Sequence, residues 1–291
     1  MPIDVTEFTD PGCPWAYSAN PDLAVLRWRY GNGLNWRLVT IGLTAEREQY
    51  LQRGYTPERA AKSQRRFARF GMPFSHEIKP GVAATQRMCR AIVATRLQDP
   101  AREREVFRNL AFGQFTTPLL MDEDASILER LRHVDGLDAD AVVGALDSDE
   151  VTQAYETDRA EARTAEGGAT HFQGKHAATD GPVRYTAPSL IFTTDDGRSL
   201  EAGGFQSIQA YDVCIANLDR SLERRPAPED PLEALRAFPY PLVTAEVVAI
   251  MTPDLHVPDR DGVEAQLIDH VVAGRVERIT LGDDALWRAL D

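Results

Sequence analysis

The alternation of residue types at the start of the chain constrains the fold more than any other feature. Residues 3–8 alternate between apolar and polar side chains, residues 14–30 follow a Thr-Asp-Pro-Gly turn with helical spacing, and residues 34–41 alternate again. The Gly-Asn-Gly run at 31–33 ends the helix, since both residue types tolerate the left-handed backbone of a C-cap. Strand, helix and strand predict a parallel pair with a right-handed crossover.

The middle of the chain carries a different pattern. Residues 44–180 contain no comparable strand, and six segments have helical spacing: 56–70, 82–98, 100–115, 123–134, 138–146 and 148–166. A polar loop is predicted at 171–183, then a strand at 185–193, a hairpin partner at 199–202 and a helix at 207–224. We therefore predict an α/β fold in which residues 1–43 and 181–225 form one discontinuous βαβ…ββα domain, interrupted by a helical insertion at 44–180.

The C-terminal residues predict a small separate module. A Pro-rich linker at 226–231 precedes helices at 232–238, 244–251 and 260–273 and a hairpin at 275–290, which is the order of a winged helix. Residues 226–291 hold 5 Arg and 13 Asp or Glu. Because such a surface repels phosphates, we expect the module at 232–291 to form a dimer contact or a cap over the neighbouring domain rather than to bind DNA.

Composition excludes several classes of protein. The 291 residues carry a formal net charge of −13, which argues against a general nucleic-acid binder. An apolar run of membrane-spanning length and a secretory leader are both missing from the pattern, so neither a membrane partner nor export is expected. Three cysteines are too few for a disulfide scaffold. The sequence predicts a cytoplasmic enzyme.

Cys13 is the leading candidate for chemistry. It lies after a strand and a Pro-Gly turn, at the start of a helix whose free N–H groups favour a thiolate. A lowered pKa would make Cys13 a nucleophile toward disulfides or electrophilic carbons. Pro14 suits the first helical turn, and Trp15 could shield the sulfur or form an apolar platform for a substrate. The alternative is that Cys13 is a small buried hydrophobe.

Residues 10–17, Asp-Pro-Gly-Cys-Pro-Trp-Ala-Tyr, resemble the active-site loop of the DsbA family in the thioredoxin superfamily. The closer likeness is to its branch of FrnE-type oxidoreductases, 2-hydroxychromene-2-carboxylate isomerases and kappa-class glutathione transferases. The resemblance covers residues 1–225 and implies a thioredoxin-like core split by a helical insertion. Residues 185–190 resemble the family's strand preceded by a cis-proline, which would place Pro188 opposite Cys13 and turn the Ala187 backbone toward an extended substrate. Alone, Pro188 would be an ordinary edge-strand proline.

The chain departs from the family at one position, because Ala16 stands where a C-x-x-C motif has its second cysteine. Cys89 and Cys214 have apolar neighbours at helical spacing and are predicted to be packed. The first hypothesis is a monothiol oxidoreductase acting through mixed disulfides with a small thiol of the glutathione or mycothiol type, with no tightly bound cofactor. The second hypothesis is a thiol-dependent isomerase or transferase acting on a hydrophobic electrophile, and the third is a catalytically silent binding protein. A homodimer is compatible with all three hypotheses.

Two further sets of residues are weaker candidates. His171 or His176 could orient or deprotonate a substrate, and Lys175 could hold a carboxylate, if their loop reached the same cleft; a solvated loop is the alternative. The basic run at 62–69 could attract an anionic thiol conjugate or be a solvated helix face. The spacing of the histidines does not support a metal site, and no Gly-rich loop indicates a nucleotide site.

Overall fold

The structure is a computed structural model and describes residues 2–290. The first four elements are β1 (Ile3–Thr9), α1 (Pro14–Ser18), α2 (Asn20–Tyr30) and β2 (Leu34–Thr40). The predicted helix at 14–30 is thus two helices. Pro21 lacks the N–H that would bond to the Tyr17 carbonyl, and the Asn20 side chain donates to that carbonyl instead, at 2.8 Å.

The insertion is mainly helical, as predicted. Its helices are α3 (Arg47–Gln52), α4 (Pro57–Phe67), α5 (Gln86–Gln98), α6 (Glu103–Thr116), α7 (Asp124–Leu131), α8 (Ala139–Gly144), α9 (Asp149–Glu161) and α10 (Ala169–Phe172). The prediction of one polar loop at 171–183 is wrong, because β3 (His176–Ala177) pairs with β4 (Arg184–Tyr185) across a turn in which Gly181 has a positive φ. The predicted strand at 185–193 is likewise interrupted, since Pro188 has no N–H for a ladder.

The central sheet has four strands and is completed by β5 (Ser189–Thr193) and β6 (Ser199–Ala202). Its order is β2-β1-β5-β6, with β1 and β2 parallel and the remaining pairs antiparallel. The helix α11 (Ile208–Leu218) follows and is shorter than predicted, because the Asp219 carboxylate accepts from the backbone and hydroxyl of Ser221 and turns the chain. The α/β fold with a thioredoxin-like core and a helical insertion is confirmed.

The C-terminal residues form α12 (Pro231–Arg236), β7 (Leu242–Val243), α13 (Thr244–Met251), α14 (Arg260–Val272), β8 (Val276–Leu281) and β9 (Asp284–Ala289). The helices and hairpin lie where the sequence predicts them, and β7 adds a third strand in the order β7-β9-β8. Within residues 2–290, none of the helices is both long enough and apolar enough to span a bilayer.

The C-terminal module packs tightly against the core of the same chain. The helices α13 and α2 contribute to one apolar cluster, which contains Leu26, Val247 and the fully buried Trp287. Residues 226–231 are also held in place, since the Trp28 indole donates to the Pro226 carbonyl at 2.8 Å. The segment predicted as a linker therefore lies against α2 instead of extending through solvent.

Candidate active site

Cys13 is the N-cap of α1, and Pro14 is the first residue of that helix. The Cys13 backbone N–H donates to the Asp10 carbonyl at 3.0 Å, which closes the turn after β1. The Cys13 thiol donates to the Ala187 carbonyl across a distance of 3.2 Å. The loop after β1 and the segment before β5 therefore meet at the sulfur of Cys13.

Asp10 anchors this loop to two other parts of the chain. Its carboxylate accepts from the Gly12 N–H at 2.9 Å, the Leu43 N–H at 2.9 Å and the Thr85 hydroxyl at 3.0 Å. The Cys89 thiol approaches the same carboxylate, at 3.6 Å. Burial raises the pKa of Asp10, while these hydrogen bonds oppose the increase. This role of Asp10 was not predicted, although an Asp directly before a Pro-Gly-Cys turn is a signal for it.

The prediction of a resting thiolate is wrong. Cys13 is only 8% exposed, and burial raises its pKa to about 11. The backbone N–H groups of Ala16 and Trp15 and the charge of Arg184 lower the pKa, whereas the charge of Asp10 raises it further. The favourable effect of the helix is small because α1 is five residues long. The thiol is therefore protonated at neutral pH.

A cavity of about 930 Å³ opens beside Cys13. Its walls come from the Cys13 loop, from α4, from residues 77–85 and from β4. Six of the lining side chains are cationic and two are acidic: Arg53, Arg59, Lys62, Arg66, Lys79 and Arg184 against Glu58 and Glu77. Part of the basic run at 62–69 thus faces the cavity. The excess of positive charge suits an anionic occupant.

Trp15 forms an apolar part of the cavity wall. It is 42% exposed, and its ring lies edge-on to Phe67 at 4.8 Å and to Phe205 at 5.4 Å between centroids. Pro14 is half-buried and also lines the cavity, whereas Ala16 is buried in the core. A partly exposed indole fixed by two other rings is a rigid surface for an apolar group.

The remaining predicted site residues divide into two sets. The Ala187–Pro188 peptide bond is cis and both residues are buried; the Ala187 carbonyl accepts from the Cys13 thiol, and neither residue lines the cavity. The two histidines do not line the cavity. His171 accepts from the Gly167 N–H at 3.0 Å, and its ring lies 4.5 Å from that of His176, so both are held within their own hairpin region.

Arg184 lies in the cavity wall and was not predicted as a site residue. The residue is in β4 and 5% exposed, and no local pattern in the sequence marks it. The hairpin of β3 and β4, part of which was predicted as a loop, carries Arg184 into the lining of the cavity that also contains Cys13.

A parallel β1–β2 pair and an antiparallel β5–β6 extension form a thioredoxin-like sheet, and Cys13 lies at the N-terminus of the first helix. The model of the DSBA-like thioredoxin domain family matches residues 4–167, more than half of the chain. The chain belongs to the DSBA-like thioredoxin family. The family assignment made from residues 10–17 is confirmed.

Solved structures show the same fold at low identity. A putative protein disulfide isomerase from Nitrosomonas europaea is 16% identical, with a TM-score of 0.56 over 75% of this chain and 97% of that one. The cytosolic disulfide reductase DsbM from Pseudomonas aeruginosa is 18% identical, with a TM-score of 0.51 over 75% and 98%. A structure of that reductase with GSH is 16% identical, with a TM-score of 0.50 over 75% and 98%. Among curated protein sequences, none matched the chain.

Proposed function

We propose that this chain is a monothiol thiol–disulfide oxidoreductase, in which Cys13 forms a mixed disulfide with a small thiol of the glutathione or mycothiol type. The observation that carries the proposal is the position of the Cys13 sulfur, which lies in the wall of a large cavity next to the Ala187 carbonyl. The cavity volume of about 930 Å³ is in the range that accepts a tripeptide-sized molecule. The likeness to a disulfide reductase also solved with GSH supports the same class of substrate.

The exchange proceeds in two steps. The Cys13 thiolate attacks one sulfur of a small-molecule disulfide, the S–S bond breaks, and the other half leaves as a thiolate. A second small thiolate then attacks the mixed disulfide, forms a new disulfide with the half retained on Cys13 and releases the Cys13 thiolate; the cycle is a net reduction when the departing half and the second thiol are different molecules. That second thiol supplies the electrons that an internal cysteine supplies in C-x-x-C proteins, and Ala16 at that position is consistent with this route.

The cysteine must lose its proton before it can attack. Burial raises the pKa of Cys13 to about 11, so only a small fraction of the protein holds a thiolate at neutral pH. The Ala16 and Trp15 N–H groups and Arg184 favour the anion. A slow basal exchange that accelerates with pH follows from this balance. A cytoplasmic location, where small thiols are abundant, belongs to the same proposal.

A second candidate is a thiol-dependent isomerase or transferase. The protonated Cys13 thiol favours it, because an S–H group that donates to Ala187 could equally donate to the sulfur of a bound thiol without forming a bond. Trp15 would then line the pocket for the hydrophobic electrophile. In this scheme Cys13 contributes polarity and position, and a serine could replace it.

Intact-mass measurement after incubation with oxidised glutathione tests the proposal. We expect one adduct of glutathione mass, formed faster at pH 9 than at pH 7, lost in Cys13→Ala and retained in the matched control Cys214→Ser. Absence of an adduct on Cys13 at both pH values would overturn the monothiol mechanism. Turnover of an aromatic electrophile that survives Cys13→Ser would favour the isomerase or transferase.

A further inference from the structure

Arg184 is the buried cation of the Cys13 cavity. It is 5% exposed and lies three residues before Ala187, whose carbonyl accepts from the Cys13 thiol. The other cavity cations are placed differently. Lys62 and Arg66 are exposed on α4, and Lys79 donates to the Gly113 and Leu119 carbonyls. Arg184 is therefore the cavity cation that is both buried and nearest in sequence to the backbone that contacts the Cys13 sulfur.

The guanidinium of Arg184 has an unused donor. Its terminal nitrogens donate to the Tyr185 carbonyl at 3.0 Å and to the Thr179 hydroxyl at 3.2 Å. Its buried Nε–H has no hydrogen-bond acceptor among residues 2–290. The closest carboxylate oxygen, from Asp180, is 3.9 Å from Nε, beyond hydrogen-bond range. Because an unpaired buried donor is unfavourable, the site is better satisfied with an acceptor bound.

Asp180 does not neutralise Arg184 by itself. The same carboxylate bonds closely to Arg163 and lies 3.4 Å from Arg159. Glu156 also pairs with Arg159, at 3.2 Å, so two carboxylates face three guanidinium groups and one positive charge remains in excess in this cluster. Arginine suits carboxylate binding because its planar donors match the two carboxylate oxygens.

We propose that Arg184 forms an anion subsite beside Cys13 and binds a carboxylate of the small-molecule disulfide that exchanges there. The inference rests on the proposed function and specifies its substrate class as carboxylate-bearing disulfides. During exchange the carboxylate stays on Arg184, while the Cys13 thiolate forms the new S–S bond and the departing half carries away the electron pair as a thiolate. An uncharged thiol such as mycothiol, which has no carboxylate, would gain nothing from Arg184.

Two aromatic disulfides separate binding at Arg184 from reactivity at Cys13. The probes are 5,5′-dithiobis(2-nitrobenzoate), which carries two carboxylates, and 4,4′-dithiodipyridine, which carries none. Exchange rates are measured in a Cys214→Ser background that leaves Cys13 as the accessible thiol. Arg184→Gln should slow both probes to the extent that Arg184 favours the Cys13 thiolate, and should slow the carboxylate probe about tenfold or more beyond the neutral probe, given the usual strength of charged hydrogen bonds. Arg159→Gln removes the same charge beside Asp180 but does not line the cavity, and should change neither rate.

If Arg184→Gln slowed both probes equally, Arg184 would act only on the ionisation of Cys13, and the subsite would be overturned. Unchanged rates with both probes would also overturn the subsite. If Arg184→Gln does not fold, Arg184→Lys takes its place, with an expected loss of about threefold confined to the carboxylate probe. Failure of both probes to react in the Cys214→Ser background would overturn the proposed function instead. The subsite is then measured by calorimetric titration with S-methylglutathione, which cannot exchange; binding that is absent or independent of Arg184 would overturn it.

Discussion

The helices α4 and α13 differ in how much of their surface they bury. Six of the eight residues of α13 are buried, and the helix packs against α2 in the main apolar cluster. Only Phe67 is buried among the eleven residues of α4, which otherwise presents charged side chains to solvent and to the Cys13 cavity. One helix is part of the folded core, and the other is a wall of the site.

This contrast assigns different roles to the two added regions of the chain. Between residues 226 and 290 no side chain lines the Cys13 cavity, so changes in the C-terminal module should act on stability. Changes on α4 should act on binding, because exposed side chains contribute little to the free energy of folding.

The largest effect is expected at Glu246 in α13. Its carboxylate is buried and accepts hydrogen bonds from both terminal nitrogens of Arg108 in α6, one of them at 2.7 Å. It also accepts from the Val243 N–H at 2.7 Å. Glu246→Ala leaves the Arg108 charge buried without a partner and should lower the free energy of unfolding by about 3–5 kcal/mol. Urea unfolding followed by circular dichroism measures this loss.

The matched control is Glu277→Ala, which removes a carboxylate 3.8 Å from Arg288 on the surface of the same module. We expect it to cost less than about 1 kcal/mol. In the folded Glu246→Ala protein the rate of Cys13 alkylation should equal that of the parent. A changed alkylation rate would show that the module and the cavity are coupled.

Elements with strong local signals were predictable from sequence. The β1-α-β2 start has clear alternation, and the helix at 244–251 was predicted with the limits that α13 has. Short elements such as β3, β4 and β7 were missed because two residues carry no periodicity. The packing of the C-terminal module against α2 could not be predicted from the sequence either. Apolar residues such as Val247 and Trp287 indicate that they are buried, but not against which surface they pack.

The residues of the candidate site also divide into those with a local sequence signal and those without one. Cys13 and Pro188 could be found because each belongs to a local motif, whereas Arg184 has no motif and reaches the cavity only through tertiary structure. The direction of the Cys13 pKa shift was predicted wrongly for the same reason. The helix N-terminus is visible in the sequence, but the burial that outweighs it is not.

The pH dependence of Cys13 sharpens the description of the cavity. Since burial raises its pKa to about 11, the thiolate fraction and the rate of alkylation by iodoacetamide should rise about tenfold per pH unit from pH 7 to 9. The rate is measured by mass spectrometry in Cys214→Ser, with Cys13→Ala as the blank. A thiol with a lowered pKa would reach a plateau in this range. A plateau below pH 8.5 would therefore contradict the structure and restore the sequence-based expectation.

The smallest effects are expected on α4, where charge can be reversed without loss of packing. Lys62 and Arg66 are exposed and line the cavity, whereas Arg65 is exposed on the same helix outside the lining. Arg66→Glu and Lys62→Glu should each slow exchange with a carboxylate-bearing disulfide about two- to fivefold at low ionic strength, and added salt should reduce the difference.

Arg65→Glu makes the same change of charge and should have less effect, because its side chain is not part of the cavity wall. Thermal unfolding should be similar in all three variants. If Arg65→Glu slowed exchange as much as Arg66→Glu, the effect would come from the overall charge of the helix, and α4 could not be described as a wall of a specific site.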